Sequence, residues 1–172
     1  PVRTRVGHSF IKAEMAAANA VFGGEHSAHY YFRDFWFADT GMLAALHLLA
    51  ALGEQDQPLS ALMAAYDRYP SSGEINSHVA DIGQAQEAVR AWASAGGYAV
   101  DELDGLTVSS SDGPMWWFNL RGSNTEPLLR LNVEAADRDT MEHVRDAILA
   151  IVRGDLSGDR SRDLSESGRD QT

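Results

Sequence analysis

Apolar residues recur at helical spacing in four stretches of the chain. Each stretch opens with a residue that can cap or begin a helix, and in two of them glycine follows the last apolar position. The pattern therefore predicts four helices, the first starting after Asp39 or Thr40 as its cap. The predicted helices are residues 40–53, 58–66, 81–96 and 137–151.

Alternating apolar and polar positions, which are typical of strands with one buried face, occur between these helices and at the beginning of the chain. The clearest case has Trp116, Phe118 and Leu120 alternating with Trp117 and Asn119. Strands combined with helices of this size predict an α+β fold, in which helices cover one face of a mostly antiparallel sheet. The predicted strands are residues 2–6, 74–78, 98–101, 106–109, 115–120 and 128–134.

Turn-forming residues divide the chain at residues 67–73, where Pro70, two serines and Gly73 follow one another. Such a segment is typical of a linker or hinge, so we expect one domain in residues 1–66 and another in residues 74–153. Residues 154–172 are polar and contain no aromatic residue, which predicts a disordered tail.

Composition argues against some classes of binding partner and of chemistry. The net charge of −11 argues against nucleic acid and against an anionic membrane surface. No apolar run approaches the roughly 18 residues of a membrane-spanning helix. The chain has no cysteine, which excludes disulfide and thiol chemistry and fits a reducing, cytoplasmic compartment.

A polar segment connects the last two predicted strands. Its sequence is Arg121-Gly122-Ser123-Asn124-Thr125-Glu126-Pro127. A guanidinium can hold phosphate oxygens in a bidentate fork, and hydroxyls, an amide and backbone N–H groups can supply further donors. Phosphate binding is one interpretation. The alternative is a hairpin loop whose polar side chains satisfy only its own backbone.

A second polar segment lies between two apolar runs. Its sequence is Gly23-Gly24-Glu25-His26-Ser27-Ala28-His29. A carboxylate and a hydroxyl can recognise sugar hydroxyls, and an imidazole can transfer protons near neutral pH. A metal site is disfavoured because the glycine pair predicts a loop, whereas the spacing of the histidines suits a helix. We therefore assign no metal ligand.

Three segments of the chain, the two polar segments and an earlier one, each resemble a signature of the α-D-phosphohexomutase family, of the phosphomannomutase/phosphoglucomutase type. The three occur in the same order as in the family. Val6-Gly7-His8-Ser9-Phe10-Ile11-Lys12 resembles the Gly-His-Ser segment. The other two resemble the sugar-recognition loop, Gly-Glu-x-Ser-Gly-His, and the phosphate-binding loop, Arg-x-Ser-Asn-Thr-x-Pro. Ala28 departs from the usual loop glycine, and Gly122 stands where related sequences often have Pro or Ala.

The resemblance implies that residues 1–66 are the C-terminal part of a sugar-binding third domain of α/β type, and that residues 74–153 are a phosphate-binding fourth domain. It implies an enzyme that interconverts hexose 6-phosphate and hexose 1-phosphate through a bisphosphate. The family's phosphoserine loop and its Asp-x-Asp-x-Asp magnesium loop are not found in this sequence. We therefore expect Mg²⁺ in the intact enzyme, with ligands outside this chain, and no activity from the chain alone.

The resemblance also implies roles for individual residues. The expected catalytic residues are His8 and His29, and the expected substrate-binding residues are Glu25, Ser27, Arg121, Ser123, Asn124 and Thr125. The expected partners are hexose phosphates, with mannose and glucose both open. The alternative hypothesis belongs to a different functional class: the chain could be a non-catalytic phosphosugar-binding module or interaction domain that uses the same segments.

Overall fold

The computed structural model describes residues 1–123, 126 and 128–154. Asn124 and Thr125, together with the predicted tail from residue 155 onward, lie outside the described residues. The chain divides into two compact units, Pro1–Arg68 and a second that begins at Tyr69. The helices and strands are, in chain order, α1 (His8–Ala18), β1 (Phe22–Gly24), β2 (Tyr30–Phe32), β3 (Ala38–Asp39), α2 (Gly41–Gly53), α3 (Leu59–Ala64), β4 (Ile75–His78), α4 (Ile82–Ala95), β5 (Ala99–Asp101), β6 (Leu106–Ser109), β7 (Trp116–Gly122), β8 (Leu128–Ala135) and α5 (Arg138–Val152).

The first unit contains a small antiparallel sheet of order β1-β2-β3, and helix α1 packs against it. Ile11 and Met15, one helical turn apart on α1, are buried together with Tyr31 from the central strand. Gly23 permits this close approach, since a Cβ at that position would lie 2.7 Å from the sulfur of Met15. The buried centre of this unit is therefore small and includes one polar atom, the tyrosine hydroxyl.

The prediction of a strand at residues 2–6 was wrong. These residues have no regular secondary structure, and α1 begins only two residues later, at His8. A strand needs a neighbour for its backbone N–H and C=O groups, and no described strand pairs with this segment. Alternation over five residues carries no information about whether such a neighbour exists.

Helix α2 is apolar on most of its surface, yet it buries none of its residues. Its predicted start is confirmed, because the Thr40 hydroxyl accepts a hydrogen bond of 3.3 Å from the Leu43 N–H. Met42, Leu46 and Leu49 are 77%, 55% and 62% exposed. A helix that is apolar all round normally lies inside a protein. Within the first unit, this surface of α2 is left uncovered.

The second unit is a five-stranded antiparallel sheet of order β4-β8-β7-β6-β5, and α4 and α5 pack together on one of its faces. Along β7, Trp116, Phe118 and Leu120 are buried in the core shared with the helices. Trp117 and Asn119 point to the opposite face and are half-buried. The alternation in the sequence thus predicted the correct face for each side chain, and the α+β fold is confirmed.

Aspartates at the starts of α4 and α5 act as the predicted caps. Asp81 accepts a hydrogen bond of 2.9 Å from the Gln84 N–H, and Asp137 accepts one of 2.8 Å from the Thr140 N–H. Such caps satisfy backbone donors that the first helical turn leaves unpaired. None of the helices in the described part of the chain is long and apolar enough to span a membrane.

Two side-chain truncations, one on a buried helix face and one on an exposed helix, should differ in their effect on the free energy of unfolding. Ile148 of α5 is wholly buried. We expect Ile148→Ala to lower the free energy of unfolding of the second unit by about 2–5 kcal/mol. Leu49→Ala should change that of the first unit by less than about 0.5 kcal/mol, because the side chain is already exposed. Amide hydrogen exchange measures both, and equal losses would show that the surface of α2 is covered in solution.

Candidate functional site

The loop that joins β1 to β2 carries Glu25, Ser27 and His29, three of the residues singled out in the sequence. The Glu25 N–H donates to the His29 carbonyl at 2.9 Å, and the Ala28 N–H donates to the Glu25 carbonyl at 3.1 Å. These bonds close a tight turn in which Ala28 has φ 64°. Left-handed backbone is strained for residues other than glycine, so the departure at Ala28 falls on the position that needs positive φ.

Tyr31 connects this loop to the start of α1. Its hydroxyl donates a hydrogen bond to the Glu25 carboxylate and also lies 3.0 Å from Nδ1 of His8. Burial, followed by the hydrogen bond to Glu25, raises the pKa of Tyr31 far above its ordinary value. The phenol therefore stays neutral and keeps its proton.

His29 forms a second polar contact, with Asp39 of the third strand. Its Nδ1 lies 2.6 Å from Oδ2 of Asp39, whose other oxygen accepts a hydrogen bond of 2.9 Å from the Tyr30 N–H. The hydrogen bond to Asp39 raises the pKa of His29 against the opposing effect of partial burial. The hydrogen bond from His29 lowers the pKa of Asp39. Both shifts have the sign of an ion pair between imidazolium and carboxylate.

The contact between Tyr31 and His8 lies close to the contact between His29 and Asp39, because the two histidine rings are neighbours. The rings of His8 and His29 lie 5.2 Å apart, centroid to centroid, in an edge-on arrangement. The structure therefore brings together three residues singled out in the sequence, His8, Glu25 and His29, while Ser27 lies exposed in the same loop. This cluster of His8, Glu25, His29, Tyr31 and Asp39 is called the histidine cluster below.

Two members of the histidine cluster were not predicted as site residues. Tyr31 stands in an aromatic run to which the sequence analysis gave no role, and Asp39 was considered only as a helix cap. The register between β2 and β3 brings both residues into the cluster, because it places Tyr31 opposite Asp39 and brings Asp39 beside the loop. The one signal in the sequence was a hydroxyl inside an otherwise apolar run, since a buried hydroxyl needs a partner.

In the second unit, Arg121 and Ser123 lie at the end of β7. Arg121 belongs to the strand rather than to the loop, and its side chain is 24% exposed. Nη1 of Arg121 lies 3.8 Å from Oδ2 of Asp104, a long ion pair that leaves most guanidinium donors available. The Ser123 N–H donates to the Leu128 carbonyl at 2.8 Å, which closes the strand ends.

The turn that carries Asp104 is held tightly against β7. Nδ2 of Asn119 donates to the Asp104 carbonyl at 2.8 Å. Gly105 follows with φ 72°, and a Cβ there would lie 2.8 Å from the Leu120 carbonyl oxygen. Only glycine allows the turn to approach this closely. The turn thereby places a carboxylate beside the Arg121 guanidinium.

A second guanidinium lies directly across the sheet from the first. Arg121 of β7 pairs in register with Arg130 of β8. Like charges in such positions destabilise a sheet unless other charges offset them. Asp104 lies beside Arg121, and Oε1 of Glu74 lies 3.7 Å from Nη1 of Arg130. Two arginines at directly paired positions of neighbouring strands suit the binding of an anion.

Within the described residues, no three His, Asp or Glu side chains are arranged to hold a metal ion.

Comparisons with known proteins agree along the chain. The family model "Phosphoglucomutase/phosphomannomutase, alpha/beta/alpha domain III" matches residues 1–69, and "Phosphoglucomutase/phosphomannomutase, C-terminal domain" matches residues 74–151. A phosphomannomutase of Salmonella typhimurium is 44% identical over 157 residues, which are 88% of this chain and 33% of that protein. One of Methanocaldococcus jannaschii is 39% identical over 151 residues, again 88% of this chain and 32% of that protein.

A solved structure agrees with these relatives. The crystal structure of a phosphoglucomutase/phosphomannomutase family protein from Burkholderia thailandensis matches with a TM-score of 0.72 and 27% identity, covering 93% of this chain and 34% of that one. The chain spans about a third of the length of the curated relatives it matches.

The strained position in the loop allows a test by substitution. Ala28→Gly should stabilise the first unit by about 0.5–1 kcal/mol, because relief of left-handed strain outweighs the added freedom of the unfolded chain. Ala13→Gly, an exposed position in the middle of α1, is the matched control and should destabilise by about 0.5–1 kcal/mol. Hydrogen exchange of the amides around Tyr31 measures both. Destabilisation by both variants would mean that Ala28 is unstrained.

The ion pair in the histidine cluster predicts a pH dependence. Asp39→Asn should lower the pKa of His29 towards its ordinary value of 6.5. Because folding raises the pKa of His29, the pair stabilises fully below pH 6.5 and its contribution is lost as pH rises through the folded pKa. The contribution is lost again as pH falls through the lowered pKa of Asp39. An NMR titration of the His29 ring measures this, with the exposed Asp34→Asn as control; an unchanged His29 pKa in Asp39→Asn would contradict it.

Proposed function

Since this chain belongs to the phosphoglucomutase/phosphomannomutase family, we propose that it is the sugar- and phosphate-recognising part of a mutase. The intact mutase interconverts hexose 6-phosphate and hexose 1-phosphate by phosphoryl transfer through a bisphosphate. Several relatives are named phosphomannomutase, so mannose phosphates are the first substrates to test and glucose phosphates the second. No comparison favours a non-catalytic binding module.

The observation that supports the proposal best is the histidine cluster. Glu25 accepts one hydrogen bond from Tyr31 and retains further lone pairs that can accept sugar hydroxyls. Ser27 lies exposed in the same loop and can donate or accept. A mutase must read its sugar in two orientations, so it benefits from contacts to hydroxyls that both orientations share. Glu25 and Ser27 supply such contacts in this proposal.

The imidazoles supply the proton chemistry in the proposal. The Asp39 carboxylate occupies Nδ1 of His29, so Nε2 is the nitrogen available to a substrate. A raised pKa increases the fraction of imidazolium near neutral pH. His29 can then donate a proton to the reacting oxygen or neutralise charge that develops on it. His8, beside it, is the second candidate for these roles.

Arg121 anchors the phosphate that is not reacting. Binding a hexose bisphosphate requires one fixed clamp for whichever phosphate lies away from the reaction centre. Among the described residues Arg121 forms a long ion pair with Asp104, and Ser123 follows it at the strand end. Asn124 and Thr125 complete the clamp in this proposal. In a chain of net charge −11, such a local cation is required to attract an anionic substrate.

Magnesium enters the proposal for the intact mutase only. When bound, Mg²⁺ would neutralise charge on the transferring phosphoryl group. The described residues offer no cluster of ligands for it, so none of them is assigned to the metal. We propose a cytoplasmic location for the intact mutase.

Substitution of Arg121 in the intact mutase tests the clamp. Arg121→Ala should lower the affinity for mannose 1-phosphate roughly ten- to a hundredfold, because a charge-assisted bidentate contact contributes about 1.5–3 kcal/mol. Arg121→Lys should recover only part of this, since an ammonium lacks the planar fork. Arg138→Ala, an exposed arginine of α5, is the matched control and should leave affinity unchanged. Calorimetry measures the affinities.

A coupled assay for mannose 6-phosphate, with Mg²⁺ and a hexose bisphosphate, measures turnover in the same variants. The chain of 172 residues alone should show no turnover. Parental affinity in Arg121→Ala would contradict the clamp. Absence of turnover by the intact mutase on both mannose and glucose phosphates would contradict the proposed activity.

A further inference from the structure

The hydroxyl of Tyr31 occupies an unusual place in the first unit. The tyrosine ring is wholly buried with Ile11 and Met15. Its hydroxyl reaches two polar side chains that come from different elements, Glu25 in the loop after β1 and His8 at the start of α1. Glu25 is half-buried, whereas His8 is exposed. A buried side chain therefore bridges a carboxylate and an imidazole.

The number of protons determines the direction of these hydrogen bonds. A phenol has one proton, and an ionised carboxylate can only accept, so the Tyr31 proton lies towards Glu25. The contact of 3.0 Å to His8 must then be donated by the imidazole, from Nδ1–H to the Tyr31 oxygen. With its proton on Nδ1, neutral His8 presents an unprotonated Nε2 as a base; imidazolium presents Nε2–H as an acid.

We propose that Tyr31 is a positioning residue that relays the hydrogen-bond acceptor of Glu25 to His8, by donating its one proton to Glu25 and accepting from His8, and so selects the Nδ1–H tautomer of that histidine. His29 is oriented in the same way by direct contact with Asp39. Both imidazoles thus present Nε2 and not Nδ1, one through a direct carboxylate and one through a relayed carboxylate. Glu25 has two functions in consequence, since the group that reads the sugar also orients His8.

The consequence for catalysis rests on the proposed function, whereas the tautomer does not. In the mutase, a His8 with the wrong tautomer would have its proton on Nε2 and could not act there as a base. Loss of the relay should therefore lower kcat more than it raises KM, because substrate contacts of Glu25 and Arg121 remain in a Tyr31→Phe variant.

The tautomer of His8 can be measured directly in this chain. Long-range ¹⁵N–¹H NMR at about pH 8.5, well above the ordinary imidazole pKa of about 6.5, distinguishes the two neutral tautomers. The parent chain should show His8 mainly as Nδ1–H. Glu25→Ala frees the Tyr31 proton to turn towards His8, and should change the tautomer ratio at least tenfold in favour of Nε2–H. Glu25→Gln keeps a carbonyl acceptor and should retain Nδ1–H.

Two tyrosine variants complete the experiment. Tyr31→Phe keeps the buried ring, which the methyl shift of Met15 can verify, and should return His8 to the Nε2–H form that free histidine favours. Tyr30→Phe is the matched control, because the Tyr30 ring stacks on Phe22 outside the histidine cluster. It should leave His8 unchanged. Nδ1–H retained in both Glu25→Ala and Tyr31→Phe would overturn the relay.

Kinetics of the intact mutase give an independent measurement. Tyr31→Phe should lower kcat about tenfold with little change in KM, and should have no further effect in a His8→Ala background. Additive effects of the two substitutions would overturn the relay's part in catalysis, even where the NMR result supports the tautomer. Failure of the mutase proposal itself would appear differently, as absence of turnover in the unsubstituted protein.

Discussion

A hydroxyl that is removed from water must find hydrogen-bond partners, and in the first unit the placement of Glu25 and His8 depends on that constraint. Tyr31 is the central residue of the central strand and is wholly buried, so its oxygen can be satisfied only by groups that come to it. Glu25 and His8 come from a loop and from a helix start. The packing of α1 on the sheet thereby decides where the imidazole lies.

In the second unit the corresponding constraint is electrostatic, because like charges on neighbouring strands need opposite charges beside them. There the sheet has one apolar face, covered by α4 and α5, and one polar face on which Arg121 and Arg130 lie opposite each other. Their repulsion is offset by Asp104 and Glu74 at distances of nearly 4 Å. Among the described residues, partners at these distances occupy fewer guanidinium donors than a tight bidentate pair would.

Local carboxylates lie beside positively charged groups in this strongly acidic chain. Asp39 is hydrogen-bonded to His29 and raises the pKa of that imidazole, so the carboxylate favours a positive charge beside it. Asp104 is placed beside Arg121 by a turn that only glycine permits. The net charge of −11 is thus compatible with local positive groups where phosphosugar recognition is proposed.

The sequence by itself determined those features that depend on near neighbours in the chain. Helix caps at Thr40, Asp81 and Asp137 act over three residues, and alternation along β7 acts over two, so helices, strands and buried faces of the second unit were predicted correctly. The family signatures likewise lie within short segments. The roles given to their residues stay predictions.

Only the tertiary structure decided which distant groups meet. The segment at residues 2–6 alternates as a strand does but has no strand to pair with, and nothing within five residues could show that. Tyr31 and Asp39 became members of the site through strand register and through the packing of α1, which join positions 8 to 23 residues apart. Hydrogen bonds of this kind join residues that are separated in the sequence, so a local sequence pattern does not predict them.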